Sequence, residues 1–157
     1  MSEVTHTPSG GKPIVVGVDG SENSKEALRW AARQADLSGS PLVVTTSWSY
    51  PNSYGYPAPW PEDFDPESDA KRLLDDTIDE VLGIEKSTTV TRSVVPGHPA
   101  LALEGASHAA SLIVVGCRGH GEFTGMLLGS VSEFLTTHSH CPVVIVRGEV
   151  NGTDPPR

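Results

Sequence analysis

Four short runs of apolar residues constrain this chain most: Ile14 to Val18, Leu42 to Val44 continuing into Thr45-Thr46, Leu112 to Val115, and Val143 to Val146. Each is too short for a helix core and lacks the polar alternation of a strand with one wet face. Runs of this kind are strands buried on both sides, and that burial requires helices above and below a parallel sheet. The segments between them supply the helices. Ser21 is placed to cap one in which Ala27, Leu28, Ala31 and Ala35 recur at helical spacing, and Gly39 ends it. Beyond Pro66, Ala70, Leu73, Leu74, Ile78, Val81 and Leu82 form a second apolar stripe. Gly97-His98-Pro99 opens a third helix with Leu103, Ala106 and Ala110 on its core face, proline sitting where a missing N–H costs least. A fourth runs from about Ser130 to Thr137. Thr88 to Val95 alternates only partly and carries Arg92, which suits an edge strand.

The predicted order is therefore β-α-β-α-β-α-β-α-β. Right-handed connections leave a doubly wound, Rossmann-like α/β fold: a five-stranded parallel sheet in the order 3-2-1-4-5 with helices on both faces. One domain over residues 13–147 is expected, between loose tails at 1–12 and 148–157. Residues 49–66 hold five prolines together with Tyr50, Tyr54, Tyr56 and Trp60, and read as a long surface loop. Its aromatic residues suit a lid or partner surface, or equally a self-packed loop.

Composition narrows the function. A net charge of −9 argues against nucleic acid, which needs a basic face. It argues less against a small anion, because exposed charges beyond roughly 8 Å are screened at physiological salt and local donors decide. The apolar runs fall far short of the ~20 residues that cross a bilayer, and no secretory leader is read at the start. The two cysteines, Cys117 and Cys141, make no disulfide framework. A cytoplasmic protein is the expectation.

Chemistry concentrates where the fourth strand ends. Val115 runs into Gly116-Cys117-Arg118-Gly119, nine residues follow, and Gly129-Ser130 opens a helix. A strand ending in glycine, a loop and a helix start present backbone N–H groups to phosphate. In a doubly wound sheet this tip and the first strand's tip, Val18-Asp19-Gly20, border the crevice where ligands bind. Glycine spacing and topology thus point independently to one place. Two histidine-bearing stretches do not. No nucleophile or acid can be assigned around His120, and His138-Ser139-His140-Cys141 lacks the spacing of structural zinc ligand pairs.

The spacing Gly116-x2-Gly119-x9-Gly129-Ser130 resembles, in full, the ATP-binding signature of the universal stress protein family. Val16-Gly17-Val18-Asp19-Gly20-Ser21 looks like that family's first strand and turn, and Gly129 to Ser132 through Cys141 to Val146 like its last helix and strand. The resemblance covers about residues 13–147. It implies that Val115, Gly116, Arg118 and Gly119 wrap the ribose and phosphates of ATP, and that Gly129, Ser130, Val131 and Ser132 donate to phosphate oxygens. It implies a role for Asp19, beside Gly20, in holding a Mg²⁺ ion or a ribose hydroxyl, and for Thr46 and Ser47 in offering backbone edges to adenine. Plainer roles stay open: Asp19 or Ser130 as a helix cap, Arg118 as a solvated loop residue. The resemblance further implies a homodimer through Val143–Val146. The lysine of a Gly-x4-Gly-Lys-Ser/Thr loop is missing, so the sequence suits holding ATP in a regulatory or buffering module better than transferring its phosphate. A slow ATP hydrolase or phosphotransferase is the alternative.

Overall fold

The computed structural model describes residues 11–51, 60–118 and 128–148. Its elements are β1 (Ile14–Gly17), α1 (Glu22–Ser38), β2 (Leu42–Trp48), α2 (Pro66–Leu82), α3 (Ile84–Ser87), β3 (Thr91–Pro96), α4 (Pro99–Ser107), β4 (Leu112–Gly116), α5 (Ser130–His138) and β5 (Val143–Val146). The strands form one parallel sheet in the order β3-β2-β1-β4-β5, as expected. β1 lies at the centre, with Val16 beside both Val44 and Val114.

The unbroken apolar runs are explained by how they divide. Ile14, Val16 and Val18 turn to one face and pack with Ala27, Leu28 and Ala31 of α1 and Leu74 and Ile78 of α2. Val15, Ile113 and Val115 turn to the other and pack with Leu103 of α4 and Leu135 of α5. Successive strand side chains point to opposite faces, so a strand covered on both sides must be apolar at every position.

Helix ends follow the local chemistry. The Ser21 side chain accepts the Ser24 N–H at 3.2 Å to start α1, and Gly39, at φ 67°, ends it in the left-handed conformation that glycine adopts without a Cβ penalty. Asp65 starts α2, accepting from the Ser68 N–H at 3.1 Å and hydroxyl at 2.7 Å. Those bonds hold its carboxyl below the ordinary carboxylate range, the Ser68 hydroxyl contributing most.

Two boundaries differ from expectation. The third strand begins at Thr91, not Thr88, because Thr88 and Thr89 belong to the turn after α3. Their hydroxyls donate back to the Glu85 and Lys86 carbonyls, each at 2.8 Å, a local bond that competes with strand pairing. The second strand extends past Thr46, since Ser47 and Trp48 pair with Val95 and Pro96. β3 is an edge strand, and Arg92 reaches across it to Asp75 of α2 at 2.6 Å and to the Ser87 carbonyl at 2.8 Å. Of the aromatic loop, the described part is self-packed: Trp60 stacks on Phe64 at 4.8 Å, and Tyr50 bridges Phe64 and Trp48.

Candidate functional site

At the carboxyl ends of the strands, β1 sends its chain to one side while β4 lies on the other. A cleft of about 270 Å³ opens there, near the lower end of small-ligand sites. Its floor is the tips of β1 and β4. Thr45 to Ser47 of β2 form one wall, and the first turns of α4 and α5 form the other.

The β4 tip is built by close approach. A Cβ on Gly116 would lie 2.7 Å from the Asn23 carbonyl carbon and 2.8 Å from its oxygen, so only glycine lets the start of α1 pack against this strand. The chain on either side of the long loop is then tied together. The Gly129 N–H donates to the Cys117 carbonyl at 2.6 Å, and the buried Ser132 hydroxyl donates to the Gly116 carbonyl at 2.7 Å. Residues twelve apart in sequence, Cys117 and Gly129, thus become hydrogen-bonded neighbours.

Helices α1, α4 and α5 all begin at this end of the sheet. Ser21 caps α1 with its hydroxyl, and His98 caps α4, its Nδ1 accepting from the Ala100 N–H at 3.1 Å. α5 differs, since its cap is Gly129 and no side-chain cap bond is made to it among the described residues. It is the helix start whose backbone is offered to the cleft, and such a terminus attracts an anion by about 0.3–1 kcal/mol, up to ~2 when partly buried.

Asp19 sits exposed at the β1 tip. Its Oδ1 accepts the Ser21 N–H at 2.9 Å, and its own N–H donates to the Ser24 hydroxyl at 3.3 Å. The carboxylate therefore shapes the turn into α1, while the helix cap itself is Ser21. Gly20, at φ 84°, supplies the left-handed residue of that turn and lies outside the cleft lining.

Of the residues singled out from sequence, Asp19, Ser47, Val115, Gly116, Arg118, Gly129, Ser130, Val131 and Ser132 all line the cleft. Gly119 and His120 fall outside the described residues. Arg118 is the one lysine or arginine among the described lining residues. Both cysteines are free thiols. Sequence reading missed the α4 wall, His98, Pro99, Ala102 and Leu103. A Gly-His-Pro opening directly after a strand would have placed that helix start beside the crevice.

A family description now fits the geometry. The model of Usp, the universal stress protein family, matches residues 11–147. This chain belongs to the universal stress protein family. Universal stress protein Rv2623 of Mycobacterium tuberculosis (strain ATCC 25618 / H37Rv) is 37% identical over 146 residues, 87% of this chain and 48% of that protein. Universal stress protein Mb2019 of Mycobacterium bovis is 31% identical over 159 residues, 91% of this chain and 50% of that one. The chain spans about half the length of these curated relatives. Among solved structures, a universal stress protein in complex with cAMP is 26% identical with a TM-score of 0.64, covering 90% of this chain and 100% of that one. A universal stress protein from Archaeoglobus fulgidus in complex with dAMP shares the fold at 24% identity and a TM-score of 0.59, covering 87% of this chain and 98% of that one. No helix among the described residues is long and apolar enough to cross a membrane.

Proposed function

We propose that this universal stress protein holds an adenine nucleotide, ATP, in the cleft and acts as a nucleotide-dependent regulatory or buffering module in stress response. The observation that carries the reading is the α5 start. A helix N-terminus without a side-chain cap faces a cleft whose other polar lining includes Asp19, Arg118 and Ser130. The complexes of similar proteins with cAMP and dAMP support an adenine nucleotide as the ligand. The phosphates lie at Gly129 to Ser132, where Ser132 gives its backbone N–H because its hydroxyl is engaged by the Gly116 carbonyl. Adenine lies toward Thr46 and Ser47, and Asp19 faces the ribose or a Mg²⁺ ion. Retention rather than turnover is favoured by the missing phosphate-binding lysine, since phosphoryl transfer depends on positioned charge.

ATP at a hundred times its dissociation constant stabilises the fold by about 2.7 kcal/mol. A thermal-melt series with ATP, ADP, AMP, cAMP and GTP, each with and without Mg²⁺, therefore reads both the base and the number of phosphates preferred. Gly129→Asp, which puts a carboxylate at the phosphate position, abolishes the shift. An unchanged melting curve at millimolar ATP sinks the reading.

We further propose that β5 pairs with its counterpart in a second copy. β5 is an outer strand whose four residues, Val143 to Val146, are only half-buried in the single chain, and an apolar edge of this kind invites pairing. Sedimentation velocity checks it, a concentration-independent monomer being the contrary result.

A further inference from the structure

At the end of the sheet opposite the cleft, α4 and α5 finish close together. α4 carries Glu104 and, one turn on, His108 at its C-terminus. The chain leaving α5 brings His140 back to the same spot just before β5. The His140 Nε2 lies 2.7 Å from Glu104 Oε1, and the His108 Nε2 lies 3.5 Å from that same oxygen. The two imidazole rings stack face to face, their centres 3.7 Å apart and their planes within 21°.

The convergence is held from beneath, independently of the rings. The Ser107 hydroxyl, 1% exposed, donates to the Glu104 carbonyl and accepts the His140 backbone N–H at 2.9 Å. This buried hydroxyl fixes the His140 backbone on the helix turn that bears the other two side chains. Neighbouring histidine and cysteine residues do not join the group. His138 stacks on Phe134 at 4.0 Å with its Nδ1 by the Phe134 carbonyl, and the Cys141 thiol donates to the Pro142 carbonyl at 3.5 Å.

We propose that Glu104, His108 and His140 form a binding site for a divalent transition-metal ion such as Zn²⁺. One ligand atom from each lies within 4.8 Å of the others. Donors on a tetrahedral zinc, bonded at 2.0–2.2 Å, stand about 3.3 Å apart. The stacked rings must splay apart to turn both nitrogens onto one ion, and both histidine side chains are exposed. Two imidazole nitrogens and one carboxylate oxygen suit Zn²⁺, Ni²⁺, Co²⁺ or Cu²⁺, whereas Mg²⁺ and Ca²⁺ prefer oxygen throughout. Three protein ligands leave a fourth position, facing solvent, for water or for a donor from another molecule. The bound ion would join the C-terminus of α4 to the segment leading into β5. The site stands at the other end of α4 from the nucleotide cleft and does not rest on the nucleotide reading.

The test is metal titration of the full, chelator-treated chain without an affinity tag. Co²⁺ is followed by its visible absorption and Zn²⁺ by calorimetry. Wild type is expected to take up one Zn²⁺ per chain. His108→Ala and His140→Ala, with unchanged circular dichroism, each weaken binding by more than about tenfold, and Glu104→Gln weakens it too. His138→Ala leaves it intact. Two results overturn the proposal: wild type without Zn²⁺ binding at 1 mM (on the order of the weakest specific sites), or a His108→Ala/His140→Ala double variant that binds like wild type.

Discussion

Replacing Gly116 by alanine tests how the cleft is built. Its backbone does not occupy the left-handed region, so alanine is conformationally acceptable and its cost is steric. The new methyl would stand 2.7, 2.8 and 2.9 Å from the Asn23 carbonyl carbon, its oxygen and its Cβ, against about 3.5–4.0 Å for relaxed carbon contacts. Two of those atoms are backbone in a helix turn already fixed by the Ser24-to-Ser21 cap and by the Gly148 N–H on Asn23 Oδ1 at 3.1 Å. The start of α1 must therefore retreat as a unit. Overpacking of this kind costs about 1–3 kcal/mol, offset by about 0.4–1 kcal/mol from restricting the unfolded chain. A net loss of about 1–2 kcal/mol lowers Tm by roughly 2–8 °C in a protein of this size. Gly17→Ala meets Leu103 Cδ1 at 2.8 Å, and Gly148→Ala meets only the Asn23 side-chain amide. Both obstacles are ends of side chains and move more cheaply. Differential scanning fluorimetry should rank Gly116→Ala as most damaging, and Asn23→Ala should relieve Gly148→Ala but not Gly116→Ala. A Gly116→Ala protein that melts with wild type, or is restored by Asn23→Ala, would refute the reasoning.

Three further outcomes are expected. Leu28→Ala empties a fully buried site against β1 and should cost about 2–5 kcal/mol in urea unfolding with m unchanged. Ser132→Ala strips the Gly116 carbonyl of its buried hydroxyl donor and should cost about 1–2 kcal/mol by the same assay, while a cost near zero would mean that another donor serves that carbonyl. For pH, the folded-state Asp65 carboxyl is held below its ordinary value. The stability it contributes is present above the ordinary carboxylate range and is lost as pH falls through the depressed value. Asn also caps helices but does not titrate, so Asp65→Asn should flatten the fall of Tm between about pH 5 and pH 2. An identical slope in both proteins would remove Asp65 from the acid response.

The fold was legible because both faces of the sheet are covered. Ile14 to Val16 and Leu112 to Val115 carry no polar residue, and Ser21 and Gly39 bound α1 with side-chain and backbone chemistry visible in the letters alone. Thr88 and Thr89 were misleading because a β-branched residue reads as strand, while its hydroxyl can equally close a turn. The β4–α5 part of the cleft lining came from one spacing, Gly116 to Ser130. The α4 wall did not, because Leu103 reads as a core position and acquires a ligand face only from the strand order. His140 illustrates the same limit. Its partners lie 32 and 36 residues earlier, and no local spacing could announce them.

The central place of β1 has a consequence for how the chain is made. Ile14 pairs with Leu42 on one side, but its other neighbour, Leu112, follows 98 residues later. At about 5–20 residues per second, a ribosome needs roughly 5–20 s to supply the strand that closes that edge. Until then the nascent β1 carries an open apolar border, the kind of surface that chaperones recognise and that other unfinished chains can capture. Destabilising substitutions in β4 should therefore reduce soluble yield more than their equilibrium cost suggests, because they prolong the interval in which the middle of the sheet is still a border.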